Sequence, residues 1–154
     1  MIDRRSIERS LNTHLIWKIR FEFAIGQNFD LEIPSSTLSA HNLCPFGKWL
    51  HGQTLSADEM AGGDFEIVSK LHSEFHKLAG KIKELIETDE VSKARELLLG
   101  EFEETSNALV SALRVWADKL PTEESGPFSL DFMQACVPAH ETHRHRFQAF
   151  IHLV

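Results

Sequence analysis

The longest uninterrupted pattern in the chain is a stripe of apolar residues at helical spacing across residues 64–87. Its members are Phe65, Val68, Leu71, Phe75, Leu78, Ile82, Leu85 and Ile86. Such a stripe predicts a long amphipathic helix with one buried face, and Asp64 can cap its start. Because that face must be covered, the chain has to supply further helices or a sheet that packs against it.

Two other long segments carry apolar residues at helical spacing. Residues 7–25 form the first, in which Lys18 interrupts the stripe and Gly26 can close the helix. Residues 88–119 form the second, and Gly100 within it is a mild defect that costs about 1 kcal/mol relative to alanine. We therefore predict three long amphipathic helices.

Shorter segments join these helices. Residues 27–39 are predicted to be a loop, since Pro34 and several serines give them turn and capping chemistry. Residues 40–51 form a short element that carries Cys44, and Ser56 with Glu59 matches a capping box. The chain shows no β-alternation of any length. The sequence thus predicts an all-α fold, a four-helix bundle with a short Cys-bearing helical element.

The clearest linker is the proline-bounded segment of residues 121–127. It divides the chain of 154 residues into a bundle domain, residues 1–120, and a linker with a C-terminal extension, residues 121–154. Within the extension we predict a last helix from about Ala139.

Charge and composition exclude several classes of partner. The formal net charge is -7 and there is no basic run, so we expect neither nucleic acid nor an anionic membrane surface as a partner. No apolar run approaches the roughly 20 residues that span a bilayer, and the N-terminal residues lack the apolar centre of a signal peptide. We therefore expect a cytoplasmic protein. Its two cysteines, Cys44 and Cys136, are then thiols or ligands, and Cys136 is interpreted as a packing residue.

His72 and His76 lie four residues apart on the best-supported helix. This spacing puts both imidazoles on one face, one turn apart, where they can reach a single ion. A metal would also satisfy ring nitrogens that are costly to bury without partners. Taken alone, however, the pair fits two ordinary helix histidines better than a metal site.

The presence of Cys44 favours a metal site over two ordinary helix histidines. Phe46, Trp49 and Leu50 would anchor its short element and thereby fix the sulfur. A thiolate combined with imidazoles suits zinc, which prefers four tetrahedral nitrogen or sulfur ligands. His14, on the inward stripe of the first helix, can supply the fourth ligand, and His41 competes for that place. A lone buried cysteine and a core-edge histidine are the simpler interpretations of Cys44 and His14.

Three motifs together resemble those of the chemoreceptor zinc-binding domain family. They are H-x-x-W at residues 14–17, C-P-F-G-K-W at residues 44–49 and H-x-x-x-H at residues 72–76, and the resemblance covers about residues 7–118. It implies a site of three histidines and one cysteine on His14, Cys44, His72 and His76, and it selects His14 over His41.

The resemblance also implies a function. Members of the family are cytoplasmic sensory modules of bacterial signal transduction that hold zinc. Some sense zinc and others sense oxidants through the bound cysteine, and members often work as dimers. They are usually attached to chemoreceptor or diguanylate cyclase domains. This chain shows neither output motif, so we expect a signalling protein related to these domains as its partner.

Two other functions remain open at this stage. A closed site with four protein ligands leaves no place for a catalytic water, which argues against an enzyme. The alternative is a helical metalloenzyme, a metallohydrolase or an oxygen-binding protein, with an open metal position. A structural interaction domain without metal is the third possibility.

Several other polar groups are not predicted to bind metal. Arginines flank the cluster of His140, His143 and His145, and they disfavour a second cation there. His51 is expected at the surface. The carboxylates Glu101, Glu103 and Glu104 are expected to form a solvated helix face.

Overall fold

The apolar stripe in the middle of the chain forms the longest helix of the structure. The computed structural model describes residues 2–27, 30–52 and 55–120. Our predictions for Ala139, Cys136 and the histidines at 140, 143 and 145 lie outside these residues. Within them the chain forms seven α-helices and one π-helical turn: α1 (Arg4–Gln27), α2 (Ser35–Ser39), α3 (Pro45–Leu50), α4 (Ala57–Met60), α5 (Gly63–Glu87), α6 (Val91–Leu97), the π-helical turn (Leu98–Phe102) and α7 (Glu103–Asp118).

Three long helical segments make up the bundle, namely α1, α5 and the α6–α7 pair. α7 packs against both α1 and α5, while α5 also packs against α6 and the short α2. The prediction of an all-α helical bundle is confirmed, and the described residues contain no strand. None of the described helices is long and apolar enough to cross a membrane.

Aromatic side chains from all three segments meet in the core. Phe102 lies edge-on to Phe21 of α1 at 5.5 Å between ring centroids and packs against Phe75 of α5 at 4.9 Å. All three are fully buried, and each such side chain contributes roughly 1.5–3 kcal/mol through the hydrophobic effect. The ring of Phe75 also contacts His14 at 5.0 Å, so the core directly supports the histidines described below.

The prediction of an unbroken loop over residues 27–39 was wrong, because Ser35–Ser39 form the helix α2. The carbonyl of Pro34 accepts hydrogen bonds from two N–H groups of this helix, and Leu38 anchors it in the core. α2 can approach α5 closely because Gly80 has no side chain. A β-carbon at Gly80 would lie only 1.8 Å from the Ser39 hydroxyl and 2.9 Å from the Ser35 carbonyl oxygen.

The predicted helix over residues 88–119 is interrupted. Gly100 has φ -103° and ψ -108°, which is not helical, and it lies in the π-helical turn between α6 and α7. Gly100 is therefore a break in the helix and not the mild defect expected from propensity. The irregular turn brings Phe102 to the centre of the core, where it is fully buried.

Only one of the two helix caps predicted at Ser56 and Asp64 is present in the structure. The capping box of Ser56 and Glu59 is present at α4. Asp64 does not cap α5, whose N-cap is Gly62 without a side-chain bond. Instead, Asp64 lies in the first turn and pairs with Lys119 at 2.7 Å. This ion pair ties the start of α5 to the end of α7, a contact between distant segments that local pattern does not reveal.

Lys18, which interrupts the apolar stripe of α1, reaches Glu103 of α7 at 2.5 Å. Both side chains are about one-third exposed. Glu103 is therefore part of an inter-helix ion pair, whereas Glu101 and Glu104 are exposed as predicted.

Candidate metal centre

The fold brings His14, Cys44, His72 and His76 to one point. One ligand atom from each residue lies within 4.8 Å of every other. α1 supplies His14, α5 supplies the two histidines one turn apart, and Cys44 stands at the start of α3. The three histidines are buried and Cys44 is half-buried. All four residues predicted as ligands are thus neighbours.

His14 is held by its own helix. Its Nδ1 lies 2.7 Å from the Ser10 carbonyl oxygen and 3.2 Å from the Ser10 hydroxyl. We assign the ring proton to Nδ1, which then donates to the carbonyl. This tautomer leaves the Nε2 lone pair available for an ion, the arrangement usual for metal-bound histidine.

His76 is held by α2. Its Nδ1 lies 2.7 Å from the Leu38 carbonyl oxygen, to which it donates. Its Nε2 is buried and has no hydrogen-bond partner in the part of the chain that the structure describes. A buried nitrogen without a partner costs about 1–3 kcal/mol, and a metal ion would supply the missing interaction.

Cys44 is fixed by the local geometry of α3. It is the N-cap residue, Pro45 occupies the first turn, and Sγ accepts a hydrogen bond from the Gly47 N–H at 3.1 Å. Sγ also lies 3.3 Å from Nε2 of His72. Gly47 is required for this turn, because a β-carbon there would lie 1.8 Å from the carbonyl oxygen of His41.

The electrostatics of the site favour neutral imidazoles. Burial lowers the pKa of His14 to about 4 and that of His72 to about 2, and the neighbouring histidines lower the pKa of His72 further. Burial also lowers the pKa of His76. The histidines are therefore unprotonated at neutral pH, the form that binds metal.

The pKa of the Cys44 thiol is shifted in the opposite direction to the pKa values of the histidines. Burial raises the pKa of Cys44, and the hydrogen bonds from the backbone of α3 and the charge of Lys48 oppose this only in part. Without a metal the group is a thiol at neutral pH. A zinc ion would deprotonate it, so binding would release a proton.

The donor set fits zinc. In a tetrahedral site with zinc–nitrogen bonds of about 2.0–2.1 Å and a zinc–sulfur bond of about 2.3 Å, ligand atoms are roughly 3.3–3.6 Å apart. The pair formed by Cys44 Sγ and His72 Nε2 already has this spacing. Small side-chain movements would close the remaining separations, which do not exceed 4.8 Å.

Aromatic rings enclose the cluster. The rings of Phe46 and His72 lie edge-on at 5.1 Å, and those of Phe75 and His14 at 5.0 Å. Both phenylalanines are buried. These apolar rings lower the local dielectric beside His14 and His72, which would strengthen their electrostatic interaction with a cation.

His41, which competes with His14 as a ligand in the sequence analysis, lies beside the cluster. Its ring centroid is 6.0 Å from that of His72, whereas His14 and His76 lie at 5.0 and 4.6 Å. His51 is exposed, as predicted, and its ring lies 5.2 Å from that of His41.

Two supporting groups were missed from the sequence, the carbonyls of Ser10 and Leu38 that orient His14 and His76. A carbonyl is present in every residue, so only the fold shows which ones face a ring. The spacing of four residues between Ser10 and His14 was the one available signal.

Comparisons with known proteins agree with the geometry. The family model of the chemoreceptor zinc-binding domain matches residues 14–83, a segment that contains all four clustered residues. Searches of curated proteins and of solved structures gave no match. Residues 14–83 therefore match the family of the chemoreceptor zinc-binding domain, and the four clustered residues lie within the matched segment.

Proposed function

We propose that this chain is a non-enzymatic sensory module that holds one Zn²⁺ through His14, Cys44, His72 and His76. The observation that carries the proposal is the convergence of these side chains from three separate helical elements on one buried point. Four protein ligands complete the tetrahedron of a zinc ion and leave no position for a reacting water. The site therefore supports binding and regulation better than hydrolysis or oxygen chemistry.

The zinc ion joins α1, α3 and α5. Since ligands from separate elements meet only in the folded chain, the free energy of zinc binding adds to the stability of the bundle. The fraction of chains that hold zinc then depends on the zinc concentration. Chemical modification of a ligand residue changes that fraction as well.

We propose oxidants as the second stimulus, acting at Cys44. This residue is half-buried, whereas the three histidines are buried, and it stands at the N-cap of the six-residue helix α3. The thiolate sulfur attacks a peroxide oxygen and the O–O bond breaks. Sulfur loses two electrons, and the departing hydroxide takes up a proton and becomes water. The sulfenic acid formed is a poorer zinc ligand, so the site opens.

In this proposal the working unit is a homodimer, and it passes the signal to a partner protein. On α1 three apolar side chains are exposed at helical spacing: Ile16 by 47%, Ile19 by 65% and Phe23 by 46%. A contiguous apolar face of this kind marks an interaction site, and a two-fold axis would pair it with itself. We place the dimer in the cytoplasm, with a chemoreceptor- or diguanylate-cyclase-related protein receiving the signal.

Metal analysis tests the zinc site. Purified protein should contain one zinc per chain, and His76→Ala and Cys44→Ser should each weaken zinc affinity more than about 100-fold, because loss of a ligand costs more than loss of an outer hydrogen bond. His51→Ala is the matched control and should keep the wild-type affinity. Unchanged zinc affinity in both ligand variants contradicts the site, and iron in the purified protein favours the metalloenzyme.

Peroxide titration of the zinc-loaded protein, followed with a zinc-sensitive dye, tests the oxidant proposal. Zinc should be released in step with oxidation of Cys44, because a sulfenic acid binds zinc poorly. Cys136→Ser is the control and should respond as the wild type does. Complete oxidation of Cys44, measured by mass spectrometry, without zinc release would show that the proposal is wrong.

Mass measurement in solution tests the dimer. The wild-type chain should have the mass of two copies, and Ile19→Glu should shift it to one copy, because the charge would be buried in the apolar contact. Ile67→Glu introduces the same charge at a residue of α5 that is 53% exposed and should leave the dimer intact. A monomeric wild type, or a dimer unaffected by Ile19→Glu, rules out this interface.

A further inference from the structure

The three clustered histidines differ in the hydrogen-bond partner of the ring nitrogen that is not directed at the cluster. His14 donates from Nδ1 to the Ser10 carbonyl, and His76 donates from Nδ1 to the Leu38 carbonyl. His72 uses Nε2 towards Cys44, and its Nδ1 is buried with no hydrogen-bond partner among the described residues. A metal-bound histidine almost always donates its other nitrogen to an outer group. His72 needs such a group, and neither of its neighbours in the cluster provides it.

A second buried nitrogen lies in the adjacent ring of His41, whose Nδ1 also has no partner within the described ranges. The rings of His41 and His72 are perpendicular, with centroids 6.0 Å apart. A buried ring nitrogen without a partner is unfavourable, and the nearness of these two atoms suggests that one group satisfies both.

A single water can satisfy both nitrogens. The two nitrogens make no direct hydrogen bond, the ring centroids are 6.0 Å apart, and a bridging water has almost the enthalpy of a direct bond. His41 lines an open cavity of about 540 Å³, which Ser69 and Ser73 also line. These two serines lie three residues before and one residue after His72, so the cavity borders the same stretch of α5.

The main chain of His41 contacts the cysteine side of the site. Its carbonyl oxygen lies 3.5 Å from Sγ of Cys44, and the missing side chain of Gly47 makes room for that carbonyl. His41 therefore lies next to two of the four zinc ligands, Cys44 through its backbone and His72 through its ring. This placement is independent of the unpaired nitrogens and points to the same role.

We propose that His41 is the positioning residue of His72, accepting at Nδ1, through one water, the hydrogen bond that His72 donates from its own Nδ1. This proposal rests on the zinc site proposed above. The link keeps the proton of His72 on Nδ1 and its Nε2 lone pair directed at zinc. It also makes His72 a stronger donor, as an outer acceptor does for other zinc-bound imidazoles. His41 itself binds no zinc.

The test compares two substitutions at His41 by competition between the protein and a chromophoric zinc chelator. His41→Phe keeps a ring of similar shape without nitrogen and should weaken zinc affinity about 10- to 100-fold. His41→Asn places an amide oxygen near the position of Nδ1 and should restore affinity to within about 3-fold of the wild type. His51→Phe, at the neighbouring ring, is the control and should bind as the wild type does.

The spectrum of the cobalt-substituted protein separates a positioning role from a ligand role. His41→Phe should keep the tetrahedral bands and the thiolate-to-cobalt charge-transfer band, because all four ligands remain. Loss of the tetrahedral bands in His41→Phe would overturn the proposal and make His41 a ligand.

The remaining outcomes are equally decisive. Equal weakening by His41→Phe and His41→Asn, or wild-type affinity in His41→Phe, would also overturn the proposal. Should the phenyl ring prevent folding, as judged by circular dichroism, His41→Leu takes its place with the same expected loss. A wild-type chain that binds no zinc would refute the zinc site itself, a result distinct from all of these.

Discussion

Burial of three imidazoles around one point is the constraint on which the rest of this structure depends. Burial keeps these rings neutral, and it leaves Nε2 of His76 without a partner among residues 2–27, 30–52 and 55–120. Such an arrangement is unfavourable for the bundle alone, because each unpaired buried nitrogen costs about 1–3 kcal/mol. Zinc binding would offset this cost, since the ion would use the lone pairs that folding has taken away from water. The residues that weaken the metal-free fold would then stabilise the proposed metal-bound fold.

The surroundings of the site connect it to the rest of the bundle. Phe46 stacks on Trp49 of the same helix, and Trp49 lies 6.2 Å from Trp116 near the end of α7. On the other side, Phe75 contacts both His14 and His76 and packs against Phe102 of the π-helical turn. Movement of α3 after a change at Cys44 would thus be felt at α7 through direct ring contacts. These contacts give the proposed sensor a physical route without a separate signalling element.

The long helices follow from the sequence because their apolar residues repeat over many turns. α5 was predicted almost to the residue for this reason. α2 was missed because five residues are too few to show periodicity and a single apolar side chain, Leu38, anchors it. The structural effect of Gly100 was underestimated, because helix propensity measures the free-energy cost of glycine in a helix and does not tell where a helix breaks. The ion pair of Asp64 with Lys119 depends on tertiary packing and has no local signal.

The candidate site was predictable to a similar degree. The spacing of His72 and His76 establishes that they share a helix face, but it does not show that the face is buried. Spacing and chemistry left His41 as a competitor of His14, and the family resemblance favoured His14. In the structure His14 is one of the four clustered residues, and its ring lies 5.0 Å from that of His72, against 6.0 Å for the ring of His41. The role of Leu38 could not be foreseen, because it acts through a carbonyl that every residue has.

X-ray absorption at the zinc edge of the metal-loaded protein tests the central claim most directly. One sulfur at about 2.3 Å and three nitrogens at about 2.0–2.1 Å from zinc are predicted, with no further oxygen ligand. A coordination shell without sulfur, or one in which a water oxygen replaces an imidazole nitrogen, would contradict the closed site of His14, Cys44, His72 and His76.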